Sequence, residues 1–422
     1  MVRNSVDWQD DAINAAPEER ATVADLRLWL NDQNVCLHLR GQDARDHVTI
    51  PLCSLAEGLA LDWWTLFGAR DHALSLIQYR SGFAVPDIRL TFDGAAFEIA
   101  AEQRIYTNPD VRFWAGSSEV MTRSDAEDQL STFIEIVLDR LRSRGVTSST
   151  AALRWARVKA SREDPDEASF CEAAGALRLD PYQIDEAAAQ AIEQGAELFE
   201  GEALTEFLAG AGPANAPRLI EWATAVERRP RGQSVIEGLQ QHAAAIAAAT
   251  PEPVGEESWA RGYRRARALR RDMGFDQTRR FSSFVQLSRA MGATAHFADA
   301  PAAYGIHLLR SHAGDEAHLH MRPHGKSEEA RASQMFAFAR GVGDVICFPA
   351  PQRAPVNGLR SAFRQAAGRA FAAEFLAPVT EIMSMQHDGR DIIAIAEEFA
   401  VSTLVIERQI ENAARIEVAS RS

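Results

Sequence analysis

Between about Ala21 and Phe113 the apolar residues alternate with polar ones or come in short runs. DLRLWLND, NVCLHLRG, HVTIPL, DIRLTFDG and AAFEIAAEQ follow this rule, which is that of strands covered on one face. Asn31-Asp32, Gly41 and Asp93-Gly94 supply turns between them. The period changes once inside this region, where SLAEGLALDWWTLFG puts Leu55, Leu59, Trp63 and Leu66 on one face of a single helix. An aromatic pair beside leucines at that spacing belongs to a core, so Trp63 and Trp64 are expected to be buried. SDAEDQLSTFIEIVLDRLRSRG predicts a second helix, opened by Ser124 with Glu127 as a capping box and closed by Gly145. Residues 1–157 are therefore expected to form an α+β domain.

From 158 to 250 the pattern turns helical and alanine-rich. DPDEASFCEAAGALRLDPYQIDEAAAQAIEQGAELF predicts helix, tight turn, helix, and HAAAIAAAT closes the segment. The second helix of that pair is acidic and would repel phosphate, so a helical hairpin is expected rather than a DNA-reading motif. TPEPVGEE, 250–257, has the composition of a linker. A third domain, 251–422, is expected after it, so the whole chain is assigned as a multidomain α+β protein.

That domain opens on SWARGYRRARALRRDMG, a helix whose apolar stripe is Trp259, Tyr263, Ala266, Leu269 and Met273. Its arginines, Arg261, Arg264, Arg265, Arg267, Arg270 and Arg271, are left to the remaining faces, with Arg280 beyond the turn. Neighbouring acids would balance a solvated face of this kind, while Arg264, Arg267 and Arg271 are the candidates for an anionic partner.

Composition narrows the picture. The 422 residues, 46% of them hydrophobic, exceed what one compact core needs and suit two or three domains. A net charge of −14 opposes non-specific binding of nucleic acid by the surface as a whole. The four cysteines, Cys36, Cys53, Cys171 and Cys347, show neither disulfide-framework nor zinc spacing, and the acidic N-terminus lacks the plan of a signal peptide. No apolar run reaches membrane-spanning length. A cytoplasmic protein with no membrane partner and no cofactor is the expectation. Nucleotide-binding and serine-hydrolase motifs are absent, as is an internal repeat.

Three blocks in the last domain, SWARGYRRARALRRDMGF, MFAFARGVGDVICF and RAFAAEFLAP, followed by DIIAIAEEFAVSTLVIERQIE, resemble in order and spacing the ImmA/IrrE metallopeptidase family over about 256–418. The resemblance implies a mostly helical, zincin-like domain with a small sheet. In that family His-Glu-x-x-His sets two imidazoles four residues apart on one zinc, with the glutamate activating the bound water. Aligned through Ala339 and Gly343, this chain has Arg340 and Asp344 at the histidine places and Gly341 at the glutamate place. An arginine has no lone pair to give, and glycine cannot take a proton. The third-ligand stretch, RQAAGRAFAAEFLAP, offers Gln365, Ala366, Ala367 and Gly368, with Ala367 at the degenerate position. Glu374 lies on the other side of the Phe-Ala-Ala segment, beside Phe371 and Phe375.

A non-catalytic relative is the reading this implies, regulatory or sensory, with a repressor-type protein or peptide partner, in a bacterial stress, mobile-element or phage-response circuit. Arg340 is expected to occupy the vacated metal place and to neutralise Asp344; the alternative is that both side chains face water. A second reading is an active metal-dependent protease using His318, His320 and His324 from the histidine-rich run that also holds His307 and His312, together with Asp344. A third is a DNA-binding regulator, using the arginine-rich helix or the helix-turn-helix-like closing pair. There Ser402, Thr403, Glu407, Arg408 and Gln409 are expected to face outward.

Overall fold

The computed structural model describes residues 2–10, 15–103, 111–228, 234–253, 255–295, 305–322, 325 and 327–421. Helices and several small antiparallel sheets make a mixed α+β chain, which divides into two compact units, Met1–Ala189 and Gln190–Ser422. The segment 158–250 is thus shared between them.

In the first unit the chain runs through β1 (Arg3–Trp8), α1 (Pro17–Ala21), β2 (Val23–Leu30), β3 (Gln33–Asn34), β4 (His38–Arg40), β5 (Asp43–Arg45) and β6 (Val48–Pro51). Then come α2 (Cys53–Leu61), α3 (Trp63–Gly68), β7 (Ala73–Ser75), β8 (Asp87–Phe92), β9 (Phe97–Glu102), β10 (Val111–Phe113) and β11 (Ser117–Met121). Helices α4 (Arg123–Ser143), α5 (Thr150–Glu163) and α6 (Pro165–Ala176) close it, and α7 (Glu186–Leu198) carries the chain across the division. One sheet is ordered β1-β2-β3 with β6 also on β2, a second β10-β4-β5, and a third β11-β9-β8-β7. Leu26 of β2 stands opposite Val6 on one side and Val48 on the other, so alternation along these strands turns one face inward.

Two expectations need correction here. The single helix around the tryptophan pair is two, parted at Asp62, whose carboxylate accepts from the Tyr79 hydroxyl. Leu55, Leu59, Trp63 and Leu66 are nevertheless all buried, and Trp63 meets Trp155 edge-on at 5.0 Å. The cap of α4 is Thr122 rather than Ser124: its hydroxyl accepts from the Asp125 amide at 3.1 Å. Behind α3, a Cβ on Gly175 of α6 would overlap the Trp64 carbonyl, so these helices meet backbone to backbone.

The second unit contains α8 (Glu202–Ala211), α9 (Ala216–Glu227), β12 (Ser234–Glu237), α10 (Leu239–Ala249), α11 (Ser258–Asp272), α12 (Phe284–Ala290), β13 (Ala293–Ala295), β14 (Ile306–Ala313) and β15 (Glu316–Met321). It continues through α13 (Glu328–Cys347), β16 (Arg353–Asn357), α14 (Phe363–Leu376), α15 (Val379–His387), α16 (Ile392–Phe399) and α17 (Thr403–Arg421). Its five-stranded antiparallel sheet is ordered β13-β12-β15-β14-β16. Strand β12 comes from the stretch expected to be wholly helical, so residues before 250 build the same sheet as residues after it.

The stretch expected to be a linker is strapped to α11. Glu256 binds Arg264 through two contacts of 2.8 and 2.7 Å, Glu252 meets Arg261 at 2.9 Å, and the Thr250 carbonyl accepts from Arg264 at 2.9 Å. Acids beside a basic helix have paired with it instead of spacing it from its neighbours. Helix α13 lies against α10, α11, α12, α14 and the sheet, which buries nearly every residue from Met335 to Cys347.

Gly175→Ala is expected to destabilise the first unit by about 1–3 kcal/mol, because the added methyl meets main chain that cannot swing aside. Denaturant unfolding followed by tryptophan fluorescence measures this.

Candidate functional site

Arg340 and Asp344 are both buried, at 6% and 3% exposure, so neither faces water. Nor do they pair with each other as expected. Arg340 directs Nη2 toward β16 and α14, donating to the Asn357 carbonyl at 2.8 Å and to Gln365 Oε1 at 2.9 Å. The Asp344 carboxylate is taken by two other guanidinium groups: Arg310 Nε of β14 donates at 2.7 Å, and Arg364 of α14 donates through Nε at 2.6 Å and Nη2 at 2.5 Å. A two-pronged arginine-carboxylate contact is the strong form of this pair. With both oxygens so engaged, the longer Arg340 side chain finds its acceptors elsewhere.

Arg310 does more than hold the carboxylate. Its remaining nitrogens donate to the carbonyl of Phe348, the residue that caps α13, and to that of Pro351 in the segment leading to β16, both at 2.6 Å, and so tie the exit of the helix to the sheet. Gln365 ties Arg340 to a second acid, donating Nε2 to Glu206 Oε2 of α8 at 2.8 Å and to the Pro355 carbonyl at 3.0 Å. Asn357 donates its amide N–H to Gln365 at 2.9 Å and its side chain to the Glu206 carbonyl at 2.9 Å. Glu206 Oε1 and Arg340 Nε have no hydrogen-bond partner among the described residues.

The two acids titrate in opposite directions. Burial pushes Asp344 up, but Arg364 and Arg310 outweigh it and hold the carboxyl below its ordinary value. Glu206, fully buried and with fewer cations at hand, is pushed up to about 7 by burial. Arg340 is lowered to about 9, again chiefly by burial, and stays cationic at neutral pH.

The other positions expected at the degenerate metal site fall on different faces. A Cβ on Gly341 would lie 2.8 Å from Leu308 and 3.1 Å from Leu319, so the place of the general base looks into the sheet. Ala367 is fully buried, with its carbonyl where α11 crosses α14 at Gly262. The residue of that window that meets Arg340 is Gln365. These residues do not fit a zinc ion: Arg340 offers no lone pair, both Asp344 oxygens are occupied by guanidinium, and Gly341 offers nothing.

Neighbouring acids balance the arginine-rich helix as expected, but its basic face is only partly solvated. Arg265 and Arg270 are buried, Arg264 is held by Glu256, and Arg267 donates to Glu374 at 2.7 Å. Arg271 alone of the three candidates is exposed. Glu374 in turn accepts from Gln409 Nε2 at 3.1 Å and from the Val379 amide at 3.0 Å. Gln409 is therefore buried, while Ser402, Thr403, Glu407 and Arg408 do face outward.

His318 and His320 lie on one side of β15 with ring centroids 6.5 Å apart. His318 meets Glu316 at 3.2 Å, and His320, lowered to about 3 by burial, sits 3.3 Å from the Ser311 hydroxyl. His324 lies outside the described residues. Among the described residues no three of His, Cys, Asp or Glu gather as a metal-holding group, and no helix is long and apolar enough to cross a membrane.

Sequence reasoning missed Arg310, Arg364 and Glu206. Each left a trace: a charge on the buried face of HLLRSHA, another in the first turn of FRQAAGRAF, and an acid inside ALTEFLAGA. Set beside known protein families, curated proteins and solved structures, the chain matches none.

Asp344→Ala leaves Arg310 and Arg364 buried without their acid, and is expected to cost about 3–5 kcal/mol in chemical denaturation. Glu206 binds its proton more tightly folded than unfolded. The stability it contributes is therefore complete below its ordinary value near 4.5 and is lost as pH rises through about 7. Glu206→Gln is expected to flatten the fall in stability between those limits, as thermal melts across pH will record.

Proposed function

We propose that the second unit is a peptidase-like domain that has given up catalysis and acts as a regulatory binding module for a repressor-type protein or peptide. The circuit is of the bacterial stress, mobile-element or phage-response kind that the ImmA/IrrE resemblance implies. One observation carries the non-catalytic reading. The two α13 positions that would hold histidines, Arg340 and Asp344, instead bond to adjacent residues at the start of α14, Gln365 and Arg364. A cation and an internally paired acid there provide cohesion between helices that a metal would otherwise supply, and they leave no donor set for Zn²⁺. The Gly341 position, closed off by Leu308 and Leu319, supports the same reading.

The protease alternative gains no support from His320, which burial keeps neutral and whose Nε2 meets a serine hydroxyl, while the neighbouring His318 is turned to Glu316. A DNA-binding role loses most of its cations to internal pairs on α11. The regulatory reading fits a buried, internally bonded network and draws its partner class from the resemblance.

The test is metal analysis of the purified full chain by plasma mass spectrometry, paired with a casein-cleavage assay in added Zn²⁺ with and without chelator. Substoichiometric zinc and no chelator-sensitive cleavage are expected. Stoichiometric zinc together with cleavage abolished by chelator would contradict the proposal.

A further inference from the structure

Helix α8 docks on the second unit with an acid on its buried side. Thr205, Glu206, Phe207 and Leu208 are all at most 5% exposed, and the helix packs against β16, β14 and α9. The contact is close: a Cβ on Gly210 would lie 2.7 Å from Asn357 Nδ2, and one on Gly305 would overlap the Gly210 carbonyl. Phe199, just ahead of α8, stacks on Phe207 with ring centroids 4.5 Å apart. Both ends of the helix are glycines in the left-handed region, Gly201 at φ 51° and Gly212 at φ 69°. Glycine redirects the chain there without steric penalty, so α8 is a short rod between two hinges.

Glu206 stands at the point of docking. Its carbonyl accepts from Asn357 of β16 and its Oε2 from Gln365 of α14, while Oε1 has no partner among the described residues. An ionised carboxyl group has about four lone-pair sites to satisfy, and here one N–H meets them. The charges acting on it are Arg364 of α14 and Arg340 of α13, which favour the ionised form, and Glu202 of its own helix and Asp344 of α13, which oppose it. Both cations are bonded elsewhere, Arg364 to Asp344 and Arg340 to Asn357 and Gln365. On β14, Arg310 is held by Asp344, His312 lies beside Arg310, and His307 lies beside Gly358. Arg353 of β16 donates to the Leu198 carbonyl, Arg369 of α14 donates to the Leu359 carbonyl, and Arg218 and Glu221 of α9 are exposed. Burial without a bonded cation favours the neutral acid and pushes the group up to about 7. Once ionised, the carboxylate gains by reaching water, which requires α8 to lift from the sheet.

We propose that α8 is a proton-operated latch. It stays seated on β16 and α14 while Glu206 holds its proton, and turns outward on Gly201 and Gly212 when the proton is lost, exposing Phe207, Leu208 and the Asn357–Gln365 pair beneath. Glu206 binds its proton more tightly with α8 seated than with α8 released, so the latch tightens as pH falls through about 7 toward 4.5 and loosens as pH rises. The device needs only the fold of the second unit and does not rest on the regulatory reading given above.

Hydrogen exchange of the full chain, read by mass spectrometry at about pH 5.5 and about pH 7.5 and corrected for the intrinsic exchange rate, tests this. Protection of the α8 amides is expected to fall by about tenfold or more between the two, and at the higher pH α8 is expected to exchange about tenfold or more ahead of β15 and α13. Glu206→Gln, a neutral side chain of the same shape, is expected to hold α8 at its low-pH protection throughout. Should that variant fail to fold, limited proteolysis of the wild-type chain serves instead, with rates normalised to an unstructured peptide at each pH and cleavage within 200–213 expected to accelerate as pH rises. Unchanged protection of α8, exchange of α8 together with β15 and α13 at the higher pH, an undiminished pH dependence in folded Glu206→Gln, or pH-independent cleavage within 200–213 would each overturn the proposal.

Discussion

The second unit depends on one carboxylate. Asp344 sits in the last turn of α13, whose C-terminal half is buried on almost every side, and Arg310 from the sheet and Arg364 from α14 converge on it. Three elements distant in sequence are thereby fixed against one another at a single point. Taking such charges out of water is costly, and a buried ion pair is weak evidence for net stability. Its effect is on arrangement: this seating of α13 gives both guanidinium groups an acid and brings the Phe348 and Pro351 carbonyls, just past the helix, within reach of Arg310.

The same logic recurs around α14. Glu374 takes Arg267 from α11 and Gln409 from α17, and the Tyr263 hydroxyl donates to Gln409 in turn. Helix α14 therefore carries polar ties at both ends, Arg364 and Gln365 at its start and Glu374 near its finish, with Phe371 packed between and Phe375 next to Glu374. Networks of this sort define one structure when every member is satisfied and become weak points when one is not. Glu206 is the less satisfied member, which is why burial carries it toward the neutral form while Asp344 stays ionised.

Much of the fold was legible in the chain because strand alternation and helical periodicity are local. Strands β2, β6, β8 and β9, helix α4 and the closing pair α16 and α17 lie where the pattern placed them. Strand β1 was missed because RNSVDW reads as polar until its pairing with β2 is known. Strand β12 was missed because four residues between helices carry too little pattern, and only its neighbours β13 and β15 make it a strand. Positions 340 and 344 stood out against an apolar helix, but their partners did not, since Arg310, Arg364 and Glu206 approach only through tertiary packing. Neighbouring acids were expected to balance the arginines of α11, but the burial of Arg265 and Arg270 was not, because periodicity does not show which segments will cover a polar face.

The account stands on the coupling between Asp344 and Arg364, and a double-mutant cycle on the full chain measures it directly. Asp344→Asn keeps the side chain's shape, Arg364→Gln shortens it, and both remove the charge, singly and as the pair. Unfolding free energies are expected to be strongly non-additive, with a coupling of about 2–3 kcal/mol or more. Additivity within about 0.5 kcal/mol would mean that the two groups do not depend on each other, and the charge network could not be what seats the helix.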